Sequence, residues 1–231
     1  MSIELLELAA TALGPLCDEV VFVGGASIQL WITDAAAPPT RTTEDVDVAS
    51  AASTRVDYYA LGERLRKRGF QEASDSHVIC RWRHSGLGLA LDVMPQDERV
   101  LGFSNPWYPR ALETALPRGL PSGAEIRAAI PPSIVATKLA AWKGRGKGDL
   151  LRSLDVHDIL VLTDGRAELA SELVSEPQDL RTYVADELSA IANHAYFNHL
   201  LEGAMHGYGR LASGRAQRLR EAIASLIDAN R

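Results

Sequence analysis

With 231 residues, the chain is long enough for one large domain or two small ones, and 46% hydrophobic against 23% charged residues is an ordinary globular composition. A formal net charge of −6 excludes a broadly basic nucleic-acid coat and leaves room only for a local basic patch. Two cysteines exclude a disulfide framework. The acidic start "MSIELLELAA" and the lack of a long apolar run argue against a signal peptide and a membrane span, so a reducing cytoplasm is expected.

Ile3, Leu5, Leu6, Leu8, Ala9 and Leu13 recur at helical spacing and predict a helix over 3–13, ended by Gly14-Pro15. "EVVFV" (19–23) reads as a buried strand that runs into Gly24-Gly25, with a helix over 26–32 beyond it. "DAAAPPT" (34–40) is a loop, and the alternation in "DVDVA" (45–49) has the period of a strand. Residues 56–68 form an amphipathic helix with "ERLRKR" outward and Gly69 as its cap. "HVICRWRH" (77–84) and "LALDVMP" (89–95) read as two strands joined through Ser85-Gly86. Prolines and glycines punctuate 100–131. From Pro132 onward the pattern is helical, with "PSIVATKLAAWKGR" followed by helices at 153–163, 166–174, 178–192, 196–204 and 214–229. The expectation is an α+β fold: a small mixed β-sheet with flanking helices over 1–125, then a helical C-terminal half over 126–231.

The chemistry concentrates in "RTTEDVDVA" (41–49). Residues two apart on a strand share a face, so Asp45 and Asp47 stand side by side. Two carboxylates that close repel unless a cation lies between them, and Mg²⁺ takes one or two carboxylates plus substrate phosphates. Asp92 is the only charge in the apolar run 87–95, and a lone acid there needs a partner. If its strand lies beside that of Asp45 and Asp47, three carboxylates converge as a two-metal phosphoryl-transfer site requires. Gly24-Gly25 would then present backbone N–H groups to a phosphate.

Each feature also has a plain reading. The glycine pair could be only a turn, and Asp45 and Asp47 a solvated strand face. Asp92 could be ion-paired to Arg81 or Arg83, and Lys138 could be a snorkelling surface lysine. "RLRKR" (64–68) is a solvated helix face or a phosphate contact, and "KGRGKG" (143–148) is a basic loop better suited to nucleic acid or triphosphate. His194, His199 and His206 make no i,i+4 metal pair. The four tryptophans read as packing residues, with Trp142 also able to line a base pocket.

Gly24-Gly25 after a strand, then Arg41, Thr43, Asp45 and Asp47, resembles the polymerase-β-type nucleotidyltransferase superfamily. Within it, the chain is similar to the AbiEii/AbiGii-toxin-like group, which includes the MenT-type toxins of bacterial toxin–antitoxin systems. That group carries a third acid on a later strand, then a helical block with a lysine, an arginine and a closing pair of aspartates. Asp92, Lys138, Arg145, Asp155 and Asp158 match this order, so the resemblance runs over about 19–160. It implies that Asp45, Asp47 and Asp92 hold metal or act as base. It also implies that Gly24, Gly25, Ser27, Arg41, Thr43, Lys138, Arg145 and Asp158 bind the nucleotide. The chain departs from the pattern with Ala26 after the glycine pair, the "DAAAPP" insert and the glycine-rich "KGRGKGD". The expected activity is Mg²⁺-dependent transfer of a nucleoside monophosphate from an NTP to a hydroxyl of a tRNA 3′ end or a protein, with a cognate antitoxin as a possible partner. The alternatives are a catalytically silent binding module of the same fold and a small-molecule, antibiotic-type nucleotidyltransferase.

Overall fold

The repeated apolar face near the N-terminus folds Ser2–Leu13 into helix α1, which buries Leu6 and Leu13. The computed structural model describes residues 2–37, 40–145, 149–204 and 212–229. Pro38, Pro39, the Gly146–Gly148 part of the basic loop and His206 lie outside the described residues. The chain forms an α+β architecture and divides into two compact units. One comprises Met1–Leu30 and Arg41–Ser133, the other Trp31–Thr40 and Ile134–Arg231.

In the first unit, strand β1 (Val20–Val23) leads directly into the one-turn helix α2 (Gly24–Ser27) and a 3-10 turn, Ile28–Trp31. The helix expected over 26–32 therefore starts two residues earlier and tightens halfway. Strand β2 is Asp45–Ser50. Helix α3 (Arg55–Lys67) begins with a capping box in which Thr54 and Asp57 satisfy each other's backbone N–H groups. Gly69, at φ +90°, follows its end. The short strands β3 (Phe70–Glu72) and β4 (Arg81–His84) precede β5 (Leu89–Pro95). Helices α4 (Glu98–Leu101) and α5 (Tyr108–Thr114) lead to β6 (Leu116–Gly119) and β7 (Glu125–Ala128).

Among the described residues, seven strands form one mixed sheet in the order β3-β4-β5-β2-β1-β7-β6. Its central pair, β2 and β5, is parallel, with Asp47 level with Asp92 and Asp45 level with Ala90. On one face Phe22, Val46, Val48, Leu89 and Leu91 join Leu6, Leu13, Leu61 and Leu65 of α1 and α3 in the core. Each such side chain contributes about 1.5–3 kcal/mol on burial. The strand alternation puts Asp45, Asp47 and Asp92 on the opposite face.

The strand expected over 77–84 is only half formed. Val78 and Ile79 are exposed, and the Arg81 N–H closes a turn on the Val78 carbonyl at 3.2 Å. Pairing starts at Arg81, antiparallel to Asp92.

Helix α6 (Pro131–Gly144), which belongs to the second unit from Ile134 onward, is followed there by α7 (Leu154–Gly165), α8 (Leu169–Val174), α9 (Gln178–Ala192), α10 (Phe197–Ala204) and α11 (Ala212–Asp228). Residues 31–37 are sewn into this unit. The Thr33 and Asp34 N–H groups both donate to the Gly165 carbonyl, at 2.9 and 3.0 Å. The buried Arg215 donates from Nε to both carboxylate oxygens of Asp164 and from Nη2 to Asp34. Among the described residues, no helix is long and apolar enough to cross a membrane.

Candidate active site

The turn after β1 explains the glycine pair. Gly24 has φ +73°, a conformation that costs an L-residue about 1–2 kcal/mol. A Cβ there would stand 2.7 Å from both Cβ and Cγ of Asp47 and closer still to its Oδ2. The register agrees, since Val23 lies directly across from Asp47. Gly24 thus lets the backbone pass against the Asp47 carboxylate. A Gly24→Ala variant is expected to lose about 2–3 kcal/mol of stability, from strain plus displacement of Asp47. Urea unfolding checks this, and an unchanged midpoint would remove the argument.

Ser27 is fully buried, and its hydroxyl donates to the Gly24 carbonyl at 2.9 Å, so it braces the same turn. Arg41 is half-buried and its carbonyl accepts from the Ser2 hydroxyl. The hydroxyl of Thr43 is buried with no hydrogen-bond partner among the described residues. An unpaired buried hydroxyl costs about 1–3 kcal/mol, which a ligand oxygen would recover.

The carboxylates are organised by a residue that sequence reasoning weighed only as a plain ion-pair partner. Arg81 donates from Nε to Asp92 Oδ1 at 2.7 Å and from Nη2 to Asp92 Oδ2 at 2.8 Å. The same Nη2 also reaches Asp45 Oδ2. Arg83 turns away to Asp75. Hydrogen bonds donated to Asp92, reinforced by the charges of Asp92, Asp45 and Asp47, hold the Arg81 guanidinium pKa well above its usual value, against the desolvation that opposes them. The sequence offered Arg81 and Arg83 alike as partners of Asp92, and the antiparallel register that sets Arg81 across from Asp92 decides between them.

Cys80 sits beside this cluster. Burial, with the negative charges of Asp92 and Asp47 behind it, pushes its thiol pKa up to about 12. Burial likewise raises Cys17 to about 11. A raised acid pKa favours the protonated form, so both are unreactive thiols at neutral pH. The native protein is expected to release no colour from Ellman's reagent at pH 8 until it is unfolded. Prompt reaction of one thiol would contradict the burial.

In the second unit, Lys138 of α6 is buried rather than snorkelling. Its Nζ lies 3.2 Å from Asp155 Oδ1 and 2.8 Å from Asp158 Oδ2, and both acids are themselves buried. Arg145, largely exposed, pairs with the other oxygen of Asp155 at 2.9 Å. Ser153 caps the N-terminus of α7 and so fixes where both aspartates project. The Trp142 indole N–H is buried without a partner among the described residues. A cleft of about 570 Å³ elsewhere in this unit mixes Asp34, Asp164 and Glu168 with Arg215 and Arg218, and none of the expected site residues lines it.

The structure thus brings Gly24, Ser27, Asp45, Asp47 and Asp92 together around one sheet face in the first unit, and in the second unit it gathers Lys138, Asp155 and Asp158 into a buried ion-pair cluster that the exposed Arg145 joins through Asp155. Residues 7–194 match the family described as "Nucleotidyl transferase AbiEii toxin, Type IV TA system". No curated protein matches the chain.

Proposed function

The chain belongs to the AbiEii nucleotidyltransferase toxin family, and from that premise we propose that it moves a nucleoside monophosphate from an NTP to a hydroxyl acceptor with the help of Mg²⁺. The enzyme class and the toxin character come with the family, whose type IV toxin–antitoxin setting also supports a cognate antitoxin. The observation that best supports the catalytic reading is the level pairing of Asp47 with Asp92 on parallel strands, with Asp45 on the same face.

The donors suit Mg²⁺, a hard ion that takes carboxylate oxygens and completes its shell with phosphate oxygens and water. Among the described residues no group of three acidic, histidine or cysteine side chains is arranged to hold a metal ion. The fit is therefore that of an open site, with Asp45 and Asp47 as ligands and substrate oxygens beside them. When bound, Mg²⁺ supplies charge neutralisation for the transferred phosphoryl group and lowers the pKa of a hydroxyl beside it.

The chain's own residues do the rest of the work in this reading. Gly24 and Gly25 offer backbone N–H groups to phosphate oxygens, with Ser27 bracing their turn. Thr43 gives its unpaired hydroxyl, and Arg41 its charge, to the nucleotide. Asp92 orients the acceptor hydroxyl or takes its proton. The acceptor oxygen forms a bond to the α-phosphorus, the bond from that phosphorus to the bridging oxygen breaks, and pyrophosphate leaves with the electron pair. Lys138, Arg145 and Asp158 carry the nucleotide-binding assignment of the second unit.

The acceptor proposed is a tRNA 3′ hydroxyl or a protein hydroxyl. The test incubates the full chain with Mg²⁺, each α-labelled NTP in turn, and total tRNA. Label in tRNA from one NTP is the expected result. Absence of both transfer and Mg²⁺–NTP binding by calorimetry would overturn the reading, whereas binding without transfer would move the acceptor to a protein.

A further inference from the structure

Arg81 puts a permanent positive charge among the three carboxylates proposed to serve catalysis. We infer that Arg81 is an exchangeable counter-ion, which gives up Asp45 and keeps Asp92 when the site takes up a divalent cation. The inference rests on the reading of Asp45 and Asp47 as cation ligands.

The two ends of the Arg81 bridge are unequal. Toward Asp92 it makes two near-parallel bonds, of 2.7 and 2.8 Å, and the antiparallel register holds the two residues level. A bidentate guanidinium–carboxylate pair is the strong form of this contact. Toward Asp45 it reaches with Nη2 alone, a donor nitrogen it shares with Asp92. Burial has the same asymmetry, for the Asp92 side chain is 8% exposed and that of Asp45 is 32% exposed. Breaking the Asp92 pair would strand a buried charge, while a carboxylate at Asp45 can trade one cation for another at the solvent edge.

Charge makes the trade necessary. Arginine does not lose its proton in a protein, so the guanidinium stays positive as a cation arrives and must yield position instead. A cation shared between Asp45 and Asp47 would meet Nη2 at its own ligand, and the like charges would repel. The chain on this account resists loading with bare metal and accepts it readily only once a triphosphate adds negative charge.

The test uses the full chain, its Arg81→Met and Arg81→Lys variants, and Mn²⁺ as the probe, read by the electron paramagnetic resonance signal of the free ion without nucleotide. Arg81→Met is expected to bind Mn²⁺ about tenfold tighter than the parent, with Arg81→Lys between them. Arg81→Met should also melt lower without Mn²⁺ and recover more than the parent when Mn²⁺ is added, which loss of a purely structural ion pair would not produce. Equal or weaker Mn²⁺ binding by a natively folded Arg81→Met overturns the inference. Should that variant fail to fold, the Arg Nε–H resonances of the parent decide: the Arg81 signal persists on Mg²⁺ addition if Asp92 is kept, and its loss overturns the proposal. Parent binding that disappears in an Asp45→Ala/Asp47→Ala variant, with no gain in either Arg81 variant, leaves the metal reading standing and this one fallen. No Mn²⁺ binding by any of the proteins, without or with NTP, removes both.

Discussion

An Asp45→Ala/Asp47→Ala variant is expected to transfer nucleotide at least about a thousandfold more slowly than the parent while remaining folded. Losing one preorganised electrostatic group in an active site costs about a hundred- to a thousandfold, and here both proposed ligands go together. Stability should hold because neither side chain belongs to the core. Asp45 is a third exposed, and the Arg81–Asp92 pair that anchors β4 to β5 survives the change. Two measurements are needed: label transfer at saturating NTP, and a melting curve for each protein. Transfer within tenfold of the parent would place the chemistry elsewhere in the chain. A collapse of the melting temperature would mean that the two aspartates hold the sheet together, contrary to their exposure.

Lys138→Met is expected to destabilise the second unit by about 3–5 kcal/mol. The methionine fills similar volume but leaves Asp155 and Asp158 buried, with the ammonium that faced both removed. Arg145 still holds Asp155 from the solvent side. Adding Asp158→Asn to Lys138→Met should return part of the stability, because it removes one of the two buried acidic charges that faced the ammonium. By contrast, Lys143→Ala, which breaks an exposed pair with Glu187, should cost about 1 kcal/mol or less. Urea midpoints for the three variants check the ordering. If Lys138→Met and Lys143→Ala were alike, the buried cluster would carry no more stability than a surface pair.

The central strands were readable because their side chains declare both faces at once. In "DVDVA" the valines turn to the core and the acids away, and the structure keeps that division. Asp92 was visible as the one charge in an apolar run, but its level pairing with Asp47 is a contact between distant segments, which periodicity cannot report. The strands β3, β6 and β7 were missed for a related reason. Each is three or four residues long, β6 contains Pro117, and β3 and β6 are the edge strands, where propensity carries little weight. Residues 77–80 erred the other way, since β-branched residues there sit in an exposed turn. Lys138 had two sequence readings, at the surface or on a triphosphate. Its partners lie one helix further on, at 155 and 158, and the spacing alone did not show that the three would be buried together.

Residues 31–40 belong to the second unit although they are made with the first, and this sets a timetable for the nascent chain. Asp34 leaves the ribosome 181 residues ahead of Arg215, the arginine that clasps it. At roughly 5–20 residues per second, that is a wait of about 10–40 s. Throughout that interval the first unit can finish its sheet, while Thr33 and Asp34 wait without the Gly165 carbonyl or the Arg215 guanidinium that will fasten them. Translation cut short after Ser133 would therefore release a folded sheet with a loose strap, and the helical unit would close only as its last helix emerged.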